Sequence, residues 1–232
     1  MVFFATRGLL GPSGTNAGDI DVGTEVLLNE NGQPVNHLIV NQGIPSALYD
    51  ASCEGTWLLR KDIAENRQWH SSNSNSYKVS TIHSYLNGDW LDRYDPAVAE
   101  AIVQVKIPYV NGTGNSAVAS GSNGLGCKVF LLGGYEVGFS TSDSQYFPVD
   151  GAKLSYFDAG TGGAADEKRI AKLNGSAARW WLRSPYTFNT SYAWCVNSDG
   201  FYLNGNCTLS YGLRPALILP YDFKFTSDQI AT

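Results

Sequence analysis

The sequence predicts an α+β domain in which short helices pack on a twisted, mainly antiparallel sheet. Three observations carry that expectation. The 232 residues include 25 Gly, 13 Tyr, 10 Phe and 6 Trp, a make-up that favours strands and turns over a helical bundle. Short apolar runs recur between Gly, Asn and Asp clusters, as strands do. Helix-start signals are few, and the periodic segments behind them are short.

Taken in order, the segment up to about Asp21 is Gly-rich (Gly8, Gly11, Gly14, Gly18) and weakly patterned, so residues 1–21 read as an arm or linker and 22–232 as the domain. Thr24 to Leu28, a turn at Asn31-Gly32, and Val35 to Val40 form a hairpin by pattern. Gly55 to Arg60 is the next strand. Glu65-Asn66-Arg67 reads as a solvated helix face. Ser80 can N-cap a short helix carrying Ile82, Tyr85 and Leu86. Asp95-Pro96 opens a second, with Pro at its first position and apolar Val98, Ile102 and Val105. Asn111 to Gly126 is a polar loop, Lys128 to Leu132 a strand, and Asp150-Gly151 a turn. Asp166 to Leu173 reads as a helix with a solvated charged face, stopped near Gly175. Trp180 to Arg183, Ala193 to Asn197, a turn at Ser198-Asp199-Gly200, and Leu213 to Leu219 supply the remaining strands.

Several function classes are disfavoured. With 16 Lys and Arg against 21 Asp and Glu, the formal charge is −5, so no basic stripe is expected and nucleic acid is not a partner. No run of eighteen apolar residues predicts membrane insertion. Met1 to Arg7 lacks a basic start and a long apolar stretch, so no signal peptide is expected. His37, His70 and His83 are scattered, and neither a Gly-x-Ser-x-Gly elbow nor a phosphate-binding loop is present, so the chain reads as no enzyme and no cofactor is expected. Asp89, Asp92 and Asp95 could converge on calcium but read better as a solvated corner with Asp95 as a cap, leaving no metal site. Cys53, Cys127, Cys195 and Cys207 show no zinc spacing. They read as two buried and two loop thiols, with a Cys195–Cys207 bridge across a hairpin left open.

The segment from Tyr186 to Tyr211 holds one ionised side chain, Asp199, among Tyr186, Phe188, Tyr192, Trp194, Phe201, Tyr202 and Tyr211 interleaved with Asn, Ser, Thr and Gly. Stiff aromatic area combined with adaptable hydrogen bonding is the chemistry of binding surfaces. A buried hairpin whose aromatics form core is the competing reading. Arg183 and Arg214 flank the segment and are suited to holding loop carbonyls or Asp199.

The run Trp180-Trp181-Leu182-Arg183-Ser184-Pro185, then Ala193-Trp194-x-Val196-Asn197-Ser198-Asp199-Gly200, then Tyr211-Gly212-Leu213-Arg214-Pro215-Ala216-Leu217 resembles the ending of variable proteins of diversity-generating retroelements, especially those of bacteriophages and gut bacteria. Gly55 to Lys61, Val105 to Tyr109 and Lys128 to Leu132 extend the resemblance over most of residues 24–220. It implies a C-type lectin-like fold acting as a ligand-display scaffold. In that family a reverse transcriptase rewrites adenine-rich codons, typically AAY, at the gene's end, and these cannot reach Trp, Met, Lys, Glu or Gln. Trp194 is therefore scaffold, with Trp180, Trp181, Arg183 and Arg214. The hypervariable, ligand-binding positions implied are Tyr186, Phe188, Asn189, Ser191, Tyr192, Cys195, Asn197, Phe201, Tyr202, Asn204, Gly205, Asn206, Cys207 and Ser210. On this reading Cys195 and Cys207 are chance products of diversification.

The implied function is that of a non-catalytic receptor-binding protein or adhesin at a phage tail-fibre tip, its ligand a host-surface protein or glycan. A homo-oligomer or a virion tail partner would hold it, on the virion or at a bacterial cell exterior reached without a signal peptide. The alternatives are a calcium-dependent carbohydrate lectin, a fixed structural virion protein and, least favoured, an enzyme of the formylglycine-generating type. The aromatics of 186–211 discriminate: display predicts that at least half are exposed and contiguous, and a structural role predicts burial.

Overall fold

The computed structural model describes residues 14–112, 117–158 and 167–231. The architecture is mixed α+β and mostly sheet. Ten strands form two five-stranded sheets: β1 Glu25–Glu30, β2 Gln33–Gln42, β3 Thr56–Arg60, β4 Glu65–Gln68, β5 Val129–Phe130, β6 Trp180–Pro185, β7 Tyr192–Val196, β8 Tyr202–Asn206, β9 Ser210–Leu213 and β10 Ala216–Leu219. Sheet one runs β5-β10-β3-β2-β1 and sheet two β8-β7-β6-β9-β4. Within both sheets every pairing is antiparallel except β6 with β9, which meet in parallel at Trp180 and Gly212.

The β1–β2 hairpin forms as its sequence predicts. Asn31 and Gly32 both take positive φ, 52° and 72°, the turn geometry whose twist matches antiparallel strands. Helix α1, Thr81–Leu86, starts at Ser80, whose Oγ accepts from the His83 backbone N–H at 3.1 Å. Helix α2, Pro96–Ala101, opens at Asp95-Pro96. The Asp95 carboxylate accepts from Asn29 Nδ2 at 2.8 Å instead of capping the helix. Val105 leaves that helix and enters a strand, Val105–Ile107, paired with Leu125–Cys127.

Other expectations are corrected. Residues 14–21 are no arm: Thr15–Asn16 pairs with Lys224–Phe225, Ala17 is buried, and Gln42 Nε2 donates to the Ala17 and Ile20 carbonyls. Residues 1–13 lie outside the described residues. Glu65–Gln68 is an edge strand, not a helix face. Its alternate charges meet partners on one side, where Arg93 Nη2 donates to Glu65 Oε2 at 2.7 Å and Arg67 lies 3.4 Å over the Tyr85 ring. Charged side chains on an edge also deter pairing with other chains.

The helix expected from Asp166 to Leu173 is confined, among described residues, to 167–169; Asp166 lies outside them. Ala171–Leu173 turns back on Ser176–Ala178 through Asn174 and Gly175, at φ 51° and 83°. Arg169 is not solvated: it is buried, with Nε donating to the Gly200 carbonyl at 2.7 Å. The strand expected from Leu213 to Leu219 is two strands in different sheets. Pro215 has no N–H for a ladder, and the chain crosses between sheets there.

All six Trp are buried, at positions 57, 69, 90, 180, 181 and 194. Each indole N–H reaches an oxygen: the carbonyls of Cys53, Leu182, Arg169, Arg67 and Tyr146, and the Tyr94 hydroxyl. Indole burial of this kind needs that partner, and it fixes how the layers meet.

Candidate functional site: an aromatic ledge on a braced sheet edge

Strands β7 and β8 form the outer edge of sheet two, and their register sorts the predicted positions. Directly paired residues share a face. Tyr192 with Asn206, Trp194 with Asn204, and Val196 with Tyr202 point one way, while Ala193 with Gly205 and Cys195 with Leu203 point the other. That second face packs inward. Cys195 stands opposite Trp181 on β6, and a Cβ on Gly205 would lie 2.5 Å from Tyr211 Cε2 and 3.0 Å from Trp181.

Cys195, Gly205 and Cys207 are therefore not surface positions; all three are buried. All four cysteines are free and buried, so no Cys195–Cys207 bridge forms; Cys195 lies in β7, and Cys207 lies in the turn that follows β8 but is enclosed there. Burial pushes the Cys195 and Cys207 thiols up to about 12, so both stay protonated at neutral pH.

On the outward face Trp194, only 2 % exposed, is the hub. It stacks on Phe147 at 3.9 Å between centroids and meets Tyr186 and Tyr202 edge-on at 5.0 and 5.8 Å. The row continues outward from Tyr186 to Phe188 (6.0 Å), with Tyr146 touching both at 5.3 and 5.0 Å. Phe188 is 70 % exposed and Phe201, at the far end of the hairpin, 55 %. Tyr186, Tyr192, Tyr202 and Tyr211 are half-buried. Two of the seven aromatics are thus exposed, and they stand at opposite ends of the hairpin, so the expectation of at least half exposed and contiguous is not met. Phe139 and Phe147 cover Trp194 and Tyr202, and Tyr211 packs on Trp181.

The Asn positions divide in the same way. Asn189 Oδ1 accepts from the Ser191 N–H, and Asn206 Oδ1 accepts from the N–H and hydroxyl of Thr208. Asn197 accepts from Arg179 Nε and donates to Asp199. These three hold turns, which Asn does well. Asn204, half-buried beside Trp194, holds none. Tyr186, Phe188 and Ser191 gather at one end of the hairpin with Ser210 and the exposed Leu209, since Cys207 N–H donates to the Ser191 carbonyl at 2.9 Å. Phe201 and Asn197 stand a strand length away, roughly 13 Å.

The ledge is braced from two sides. Asn75, fully buried, directs Nδ2 at the carbonyls of Tyr186, Asn189 and Tyr192 (3.2, 3.1 and 2.8 Å) and so pins the loop carrying Phe188. Beneath it, Arg183 on β6 is fully enclosed. Its Nη1 and Nη2 meet Glu136 Oε2 and Oε1 at 2.5 and 2.6 Å, and the guanidinium also donates to the carbonyls of Pro108, Leu131 and Asp150. Tyr49 and the Gly133 N–H complete the Glu136 carboxylate. The expected hold on loop carbonyls is thus found at Arg183, though on these rather than on Asp199.

Asp150 is no surface turn. It is fully buried and accepts from the Ser184 hydroxyl at 2.8 Å. Burial outweighs the pull of Arg183 and raises its carboxyl to about 6. Arg214 Nε donates to the Arg60 carbonyl at 3.0 Å, bridging the two sheets.

A family model described as a domain of unknown function, DUF6273, matches residues 54–221. The chain belongs to that family. Comparisons with curated proteins and with solved structures find no match. The DUF6273 match takes in all of sheet two and strands β3, β5 and β10 of sheet one, leaving the β1–β2 hairpin outside. Among the described residues of this DUF6273 member, no three His, Cys, Asp or Glu side chains converge to hold a metal ion, and no helix is long and apolar enough to cross a membrane.

Proposed function

We propose that the chain is a non-catalytic ligand-binding protein that presents the outer face and loop end of β7–β8 to a partner on a C-type lectin-like scaffold. The single observation that carries this reading is the ledge itself. Phe188 stands exposed on Tyr186 and Tyr146, in a loop whose carbonyls are pinned by a buried Asn75. An exposed aromatic on a rigid support binds with little ordering cost. Surface residues here change without touching the core, whereas Cys195, Gly205 and Cys207 do not.

The same reading makes the chain a variable protein of a diversity-generating retroelement, of the kind displayed at a phage tail-fibre tip or a bacterial exterior. Its ligand is a host-surface protein or glycan, and several displayed copies raise avidity through effective concentration. The positions carrying diversity narrow to Tyr186, Phe188, Ser191, Tyr192, Phe201, Tyr202, Asn204 and Ser210. Deep sequencing of the locus in its source population tests this. Variation confined to those codons, with an adenine-bearing near-copy and a reverse-transcriptase gene nearby, is the expected result. A uniform 3′ end with no template overturns the diversification, and variation at codons 195 and 205 equal to that at 188 overturns the assignment of faces.

A further inference from the structure

We infer that the cavity at the junction of the two sheets is a binding site for a small monocarboxylate, held on the guanidinium of Arg214. The cavity is about 370 Å³, within the range of sites for small molecules. It lies where the chain passes between sheets, from Arg60 in β3 toward Glu65 in β4 and from Leu213 in β9 to Ala216 in β10. None of its lining residues falls between 186 and 211, so the inference is independent of the displayed surface.

Two arginines are buried to within 1 % of complete enclosure, and they differ in one respect. Arg183 is saturated by a bidentate carboxylate and three carbonyls. Arg214 donates through Nε to the Arg60 carbonyl and lies 4.8 Å from the Trp180 ring centre. Its Nη1 is buried with no hydrogen-bond partner, and Asp62 acts on the guanidinium only through space, no ion pair among the described residues involving it. A buried cation normally has a counter-charge, because desolvation without one is expensive. Burial draws Arg214 down to about 10, so it is still charged at neutral pH. A guanidinium with an unpartnered donor is matched in shape by a carboxylate.

The rest of the wall sets the class of ligand. Lys61, Lys168, Lys172 and Arg214 stand against Glu25, Asp62 and Glu167, four positive side chains to three negative, which leaves one positive charge. Lys61 is already taken by Glu25 at 2.5 Å, and Lys168 donates to the Tyr156 carbonyl at 2.7 Å. One negative charge balances the site. A phosphate dianion overshoots it and meets the acidic side chains. Leu38, Ile170 and the Tyr156 ring supply an apolar side for the body of the ligand.

The test uses the full chain, with benzoate as the probe, benzyl alcohol as its uncharged counterpart and inorganic phosphate as the alternative anion, all at fixed ionic strength. Titration followed by amide shifts should show saturable benzoate binding that moves Leu38, Tyr156 and Ile170. Benzyl alcohol and phosphate should each bind at least tenfold more weakly. Arg214→Gln should lose benzoate binding at least tenfold. Lys172→Met, an exposed rim position, should weaken it severalfold without altering the unfolding temperature of the free protein. If Arg214→Gln does not fold, the three-probe comparison on the native chain decides. Absence of saturation by about 20 mM benzoate, well above millimolar affinity, overturns the inference. So does equal binding of benzyl alcohol, tighter binding of phosphate, or shifts that map elsewhere.

Discussion

Replacing Arg183 with Met removes the guanidinium enclosed beneath the ledge and leaves the buried Glu136 carboxyl without its cation. The bidentate pair is broken, and the carbonyls of Pro108, Leu131 and Asp150 each lose a donor. Removing one partner of a buried pair costs about 3–5 kcal/mol. The three carbonyls add about 1 kcal/mol apiece where no other donor replaces Arg183. The variant should therefore lose about 5 kcal/mol or more, comparable with the whole stability of an ordinary domain. Urea unfolding followed by Trp fluorescence measures this, since all six indoles are buried. Adding Glu136→Gln to Arg183→Met should restore at least about 2 kcal/mol, because the amide oxygen still accepts from the Gly133 N–H and no buried charge is left unpaired. A single variant that loses less than about 1 kcal/mol, or a double variant no better than the single, would refute the claim that this pair braces β6.

Asp150 gives the stability a pH dependence of known sign. Its folded carboxyl holds a proton up to about pH 6, against an ordinary value of 3.8, so the native state binds that proton more tightly than the unfolded chain. The associated stability is complete below about pH 4 and is lost as pH rises through 6, amounting to about 3 kcal/mol. Asp150→Asn should flatten that slope in urea titrations between pH 4 and 8. Asn75→Ala should cost about 2–3 kcal/mol and speed hydrogen exchange of amides 187–191; unchanged exchange would remove Asn75 as the loop's pin. Gly205→Ala should cost about 1–3 kcal/mol by overpacking against Tyr211 and Trp181. Phe188→Ala should stay within about 0.5 kcal/mol, and thermal unfolding of the pair separates core from display. Reducing agent should leave the unfolding temperature unchanged, because every cysteine is free.

Much of the architecture was legible from local chemistry. Asn31-Gly32 and Ser80 announce their turn and cap within a few residues and each forms where expected, while Asp95-Pro96 marks the start of α2 although the Asp95 carboxylate turns to Asn29. Asn174-Gly175 carries the same hairpin signal as Asn31-Gly32, but the charged run before it resembled a helix and hid it. Glu65–Gln68 was illegible for a different reason. An edge strand carrying charges has no apolar alternation, and only its neighbours Arg93 and Tyr85 explain it. At the candidate site the sequence marked the right segment but not its two sides. The alternation Tyr192, Trp194, Val196 against Ala193, Cys195 was present, yet nothing local says that Phe139 to Phe147 covers one face. Arg183 was marked without its partners Glu136 and Asp150, which lie more than thirty residues upstream.

The order in which the strands are made has its own consequence. β10 sits inside sheet one between β5 and β3, yet it is synthesised about 160 residues after β3. β6 and β9 occupy the middle of sheet two and are equally late. A nascent chain on the ribosome therefore holds β1, β2 and β3 of sheet one with β5 unattached, and β4 alone of sheet two, and long-range pairing of this kind is slow. Neither sheet closes until the segment between residues 180 and 219 has emerged. A frameshift or stop between residues 186 and 209 thus yields a chain without β9 and β10, which can complete neither sheet.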